Sequence, residues 1–196
     1  MRTLPLLALA LSLSACMASV NTCRASDDRP MARDAMATPM AMTDADRLHV
    51  FITGNRGEIV TSQPVVGKAA SPEVRAYAQD MIRMHEQVID RAMALDLDPM
   101  DNPVSMAMSQ QAQGVAGKLA GMNGAALDMA YIESQVVLHG QTLNTLDYVL
   151  IPNTRDAAAR RLMEQTRPDV ARHLERAKAL HHEMMMANPS MAPAGR

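Results

Sequence analysis

The sequence predicts an all-α fold, a four-helix bundle with a long middle crossover. Two observations carry the class and a third carries the connectivity. The 196-residue chain has no Trp, one Phe and three Tyr but 19 Met, with alanine plentiful. Small, flexible apolar side chains with few aromatic or β-branched ones favour helix over sheet. Apolar residues then recur at steps of three and four over several turns in successive stretches, the period of a helix face. The breaks between those stretches are short, long and short.

The start of the chain is not part of the bundle. Met1-Arg2 precede an apolar run from Leu4 to Leu13 and the small residues Ser14 and Ala15, which together form an export signal. The run falls short of the ~20 apolar residues that span a bilayer. Leu13-Ser14-Ala15-Cys16 resembles the lipobox of bacterial lipoproteins, in which the cysteine is diacylated and becomes the new N-terminus after cleavage. Lipidation at Cys16 would hold the chain stably, because several acyl chains share one residue. An ordinary signal cleaved elsewhere, after Ala18 or Ala25, is the alternative. Met17 stands after the cysteine where an Asp would resemble an inner-membrane retention signal, so the outer membrane is the expected address in a Gram-negative host. Cys23 is the second and last cysteine, and both precede the folded region, so neither staples the domain. Residues 16–43 lack apolar periodicity and read as a flexible tether. Its spaced methionines, Met31, Met36, Met40 and Met42, are soft donors of the kind that bind Cu(I).

Thr43 and Asp44 offer a cap for the first helix, expected to about Ala69. Its stripe is Leu48, Phe51, Ile52, Asn55, Glu58, Ile59, Ser62, Val65 and Val66, with Pro64 predicting a kink or early end before Gly67. The second helix starts on Ser71 with Pro72 at its first position and Glu73 in its first turn. It carries Val74, Ala78, Met81, His85, Val88, Ala92 and Leu95 in alternating steps of four and three, a bundle seam. Asp96 to Pro103 reads as a loop. A short helix within the crossover, from about Val104 to Gly121, shows Val104, Met108, Val115 and Leu119 on one face. Asn123-Gly124 ends it. The third main helix spans about Ala125 to Leu150 with seam Met129, Ile132, Val136, His139, Leu143, Leu146 and Leu150, and Pro152-Asn153 is expected to turn the chain. The fourth spans about Arg155 to Met185 with seam Ala159, Met163, Thr166, Val170, His173, Ala177 and Leu180, bent at Pro168. The domain therefore covers 44–187, and 188–196 is a disordered tail. A four-helix bundle with its long crossover in the middle is the ferritin-like variant.

SPEVRAYAQDMI…H, GAALDMAYIESQVVLHGQTL and RPDVARHLERAKAL resemble a bacterial family, domain of unknown function 4142, over about Asp46 to Leu180. Members are often labelled outer-membrane proteins and have a ferritin-like fold, so the resemblance implies that fold and an envelope address. It lends no activity. Met84 stands where the family usually has Asp, and Leu127 where it usually has Phe.

His85, His139 and His173 occupy seam positions near the middle of three helices. With helices running up, down, down, up, a rise of 1.5 Å per residue puts His85 and His139 within ~3 Å of their midplane, Glu58 about 3 Å above it and His173 roughly 6 Å above. One polar layer of His85, His139, His173 and Glu58 follows. Three imidazoles and a carboxylate would suit one transition-metal ion, Zn(II), Cu(II) or mononuclear iron. The same layer could instead be a buried network fixing bundle register, with Glu58, Asn55, Tyr131 or backbone carbonyls satisfying the rings. A di-iron centre needs Glu-x-x-His on two helices. Ile82 and Val170 stand three residues before His85 and His173, which removes it. His181, His182, Met184, Met185 and Met186 form a secondary metal candidate with copper-type donors, although adjacent residues do not share a helix face.

The charge of −2 has no long run of either sign, so a nucleic-acid footprint is not expected. No nucleophile–base pair, phosphate loop or cysteine cluster points to catalysis. The expected protein is an exported, lipid-anchored envelope protein. Its bundle binds a metal ion or a partner, whether an envelope protein or a second copy, rather than turning over a substrate. A metal-dependent oxidoreductase using the histidine layer, and a copper-handling protein using the Met-rich tether and tail, are the alternatives.

Overall fold

A computed structural model describes residues 42–187, all within one compact unit, Ala37–Arg196. The expected export signal, Cys16, nearly all of the expected tether and residues 188–196 lie outside the described residues. The order of elements is α1 (Asp44–Val66), α2 (Pro72–Met93), α3 (Pro103–Ala120), α4 (Gly124–Thr145), a π-helical turn (Leu146–Leu150), a three-residue segment α5 (Ile151–Asn153) and α6 (Ala157–Ala187). No strand occurs among the described residues, so the all-α bundle with a long α2-to-α4 crossover is the observed fold.

Each start is chemically specified. Thr43 Oγ1 accepts the Asp46 amide at 3.1 Å while the Asp46 carboxylate accepts the Thr43 amide at 2.8 Å, a reciprocal capping box. Ser71 Oγ accepts the Glu73 and Val74 amides at the head of α2. Asn102 and Ser105 form a second capping box for α3, and the Asp156 carboxylate accepts the Ala158 and Ala159 amides at the head of α6. Gly124 opens α4 with φ +62°, a left-handed conformation that a side chain would strain.

Two carboxylates tie the helix starts together. Asp44 accepts the Arg155 and Asp156 amides, locking the head of α1 to that of α6. Buried Asp128 of α4 accepts the Ala70 and Ser71 amides in the α1–α2 turn.

The four seams meet as two apolar cores. One joins Leu48, Phe51 and Ile52 of α1, Val88 and Ala92 of α2, Leu146 and Leu150 of the π turn, and Leu162, Met163 and Val170 of α6. The other joins Val65, Val74, Tyr77, Met81, Leu127, Tyr131, Ile132, Ala177 and Leu180. α1 and α6 pass from the first core to the second, whereas α2 and α4 pass from the second to the first. The up, down, down, up arrangement is thereby met.

Several boundaries differ from expectation. α1 does not end early at Pro64 but runs through it to Val66, with Gly67 as cap. Proline there forfeits one bond close to the helix end, and Val65 beside it is fully buried. The crossover helix falls where expected, as α3 at Pro103–Ala120, and packs along α1 with Leu119 buried; Ser105 and Ala112 are buried as well, while the expected contact Val104 is exposed. Gly54 and Gly57 allow this approach, since a Cβ on Gly57 would lie 3.1 Å from the Ala112 Cβ. α4 gives way to a π turn at Leu146, and Pro152-Asn153 belong to the helical α5 rather than to the turn, which falls at Thr154 to Asp156. Arg167 of α6 donates two bonds to the Asp147 carboxylate, at 2.6 and 2.7 Å, on that π turn. α6 holds Pro168 in its interior, as expected. No described helix is long and apolar enough to cross a membrane.

Candidate metal centre

The layer between the two cores is where the seams turn polar. α1 contributes Asn55 and Glu58 between Ile52 and Val65. α2 contributes His85 between Met81 and Val88, α4 His139 between Ile132 and Leu146, and α6 His173 between Val170 and Ala177. The heptad positions that aim an apolar side chain at the bundle axis therefore aim three imidazoles at one another. Their ring centroids are 5.5 to 6.1 Å apart, each pair edge to face. One nitrogen from each ring lies within 4.8 Å of one nitrogen of both others.

Hydrogen bonds decide which nitrogens are free. Asn55 Nδ2 donates to the Phe51 carbonyl at 2.7 Å, so Asn55 Oδ1 faces His85 Nδ1 at 2.8 Å and accepts from it. His85 is thus the Nδ1–H tautomer, with a lone pair on Nε2. His139 Nδ1 lies 3.1 Å from the Gln135 carbonyl, which can only accept, so Nε2 again carries the lone pair. Neither Nε2 has a partner, and neither does the inward Nδ1 of His173. His173 is half-buried and its Nε2 is not among the enclosed unpartnered atoms. Its backbone carbonyl is fixed by Tyr77, whose hydroxyl donates to it at 3.2 Å.

Burial favours the neutral form of two of the donors. Burial, with the neighbouring His139 and His173 adding to it, pushes His85 well below the ordinary 6.5. Burial and then His139 lower His173 to about 4. Neutral imidazole is the form that ligates metal.

Glu58 belongs to the layer but stands outside the triangle. It is buried, its Oε1 lies 3.8 Å from His139 Nδ1, and its Oε2 has no partner. Tyr131, an expected partner for the histidines, shares a bond with Ser62 at 2.7 Å instead. Gln135 is the layer residue that pattern reading missed. Its carbonyl fixes His139 and its amide reaches Thr61 Oγ1 at 3.5 Å. A lone amide one turn before a seam histidine was the available signal.

A cavity of about 600 Å³ abuts the layer. Phe51, Val104, Met108, Leu138, Val149 and Val170 give it apolar walls, and Asn55, Glu58 and His85 contribute to its lining. The tail candidates do not assemble in this way. His181 lies 3.7 Å from Glu133, His182 and Met186 are exposed, and Met184 packs against the second core. All five residues sit on one continuous helix, α6, which ends at Ala187.

Fold and site together define a helical bundle whose apolar core is divided by a three-histidine layer. The chain belongs to a family described as domain of unknown function (DUF4142), whose profile matches residues 29–180. No curated protein and no solved structure matches it.

Proposed function

We propose that this protein binds one transition-metal ion in its core through His85 Nε2, His139 Nε2 and His173 Nδ1. Two observations carry the reading: His85, His139 and His173 each bring a ring nitrogen within 4.8 Å of the others', and each ring has a buried nitrogen with no hydrogen-bond partner. A network evolved to fix register would satisfy its rings, because each buried unpaired polar atom costs about 1–3 kcal/mol. Here two rings are held by hydrogen bonds in the tautomer that leaves a lone pair on Nε2, and burial favours the neutral form of His85 and His173. Some point lies within about 2.8 Å of all three nitrogens, so a small closure of the rings reaches the ~2.0–2.1 Å of a metal–imidazole bond. Three neutral nitrogens without thiolate suit Zn(II), Cu(II) or Fe(II), and leave a fourth position for water or another ligand.

Export and lipid anchoring at Cys16 complete the proposal and rest on the sequence of the leader. The protein would then hold its ion in the cell envelope, at the outer membrane. The abutting cavity favours a second reading, in which a small molecule reaches the bound ion and the site turns over as an oxidoreductase.

The test uses the exported chain carrying Cys16→Ser, which releases it from the membrane. Elemental analysis should find about one equivalent of metal per chain, and His85→Gln/His139→Gln should lose it. No metal in the parent, even after incubation with Zn(II), Cu(II) or Fe(II), defeats the binding proposal. Mass spectrometry of the unsubstituted protein should show an acylated N-terminal Cys16. An unmodified N-terminus downstream of it removes the anchor.

A further inference from the structure

Glu58 is left without a role by the histidine triangle, and its position is costly. It is a carboxyl group buried in the bundle, and one of its oxygens has no partner at all. Among the described residues no Lys or Arg pairs with it, and its nearest ionisable nitrogen is His139 Nδ1 at 3.8 Å. That nitrogen already donates to the Gln135 carbonyl at 3.1 Å. A buried charge without a counter-charge is expensive.

Resting on the metal site proposed above, we infer that Glu58 is the buried counter-charge of the bound ion, acting through His139 without ligating, and biases the site toward divalent over monovalent cations. The geometry gives it that part. Its Oε1 approaches His139 at Nδ1, 3.8 Å away, whereas the nitrogen left without a partner is Nε2. A carboxylate this close to a ligating imidazole, though not hydrogen-bonded to it, stabilises the positive charge of the bound ion by direct attraction. Its attraction grows in proportion to the ion's charge, so in logarithmic units of affinity it helps a divalent ion twice as much as a monovalent one. Asn55 gives His85 a neutral acceptor at the corresponding place, so the charge enters the layer through His139 alone.

The experiment compares Glu58→Gln with the parent chain, using Zn(II) and Ag(I) as redox-inert divalent and monovalent probes. Each affinity is corrected for the His85→Gln/His139→Gln variant, which accounts for silver held by methionines elsewhere. Glu58→Gln should weaken Zn(II) by about 10- to 100-fold and Ag(I) by the square root of that factor, about 3- to 10-fold. The visible spectrum of the Co(II) form should keep its shape, because no ligand is lost. Glu58→Asp keeps the charge and should retain most of the Zn(II) affinity, which guards against a variant that fails to pack. Equal fold-losses for the two ions, or no loss, overturn the inference. A changed Co(II) spectrum makes Glu58 a ligand and overturns it too. A parent chain that holds neither ion defeats the metal site itself, which is a different result from these.

Discussion

His85 and His173 owe their neutrality to burial, and this sets how the metal-free protein responds to acid. Both titrate near 6.5 in an unfolded chain, whereas in the fold His173 is lowered to about 4 and His85 lies well below its ordinary value. Between about pH 6.5 and 4 the unfolded chain therefore binds more protons than the native one. Stability rises with pH across that window and is lost as pH falls through it. The melting temperature of metal-free protein should drop between pH 7 and pH 4.5, and His85→Gln should flatten that slope. An equally steep slope in the variant would show that other groups control it. Asp128 gives a second test at this scale. It is buried, and its carboxylate accepts the Ala70 and Ser71 amides at 3.1 and 2.7 Å. Asp128→Ala strands both donors and should cost about 1–3 kcal/mol in urea denaturation.

α3 was legible in its bounds and in Met108, Val115 and Leu119 on its packed face, but not in the burial of Ser105 and Ala112 or the exposure of Val104. The reason lies on the partner helix. Gly54 and Gly57 remove side chains from α1, so α3 comes close enough to bury serine and alanine where larger residues would clash. A side chain restored at Gly57 should push α3 away. Gly57→Leu is expected to destabilise by about 1–3 kcal/mol in urea denaturation, as overpacking does. A Gly57→Leu variant as stable as the parent would mean that α3 can shift without loss of packing. The end of α4 was misread for a related reason. A helical period does not distinguish an α turn from a π turn, and what marks this one is the Arg167–Asp147 pair that α6 supplies.

At the scale of the whole molecule, the histidine layer divides one core into two. This division destabilises the protein unless something occupies the layer. Replacing His139 and His173 by leucine would join the two cores while leaving the Asn55–His85 bond intact. His139→Leu/His173→Leu should melt above metal-free parent protein and show no shift on adding Zn(II), by the reasoning that apolar replacements of buried polar groups are often stabilising. A variant that melts lower would mean that the rings hold the bundle together without metal.

The caps, the seams, the helix order and the three seam histidines were all determined by the sequence, because each depends on residues a few positions apart along one helix. Chain order and rise per residue were enough to place His85, His139, His173 and Glu58 in one layer. Tertiary structure decided what that layer is. Which nitrogen of each ring is free depends on Asn55 from another helix and on the Gln135 carbonyl one turn back. That Glu58 lies beside His139 Nδ1 rather than in the triangle depends on how α1 rotates against α4. Those are facts of helix rotation and hydrogen-bond partnership, set by packing between segments far apart in the chain, and no local pattern encodes them.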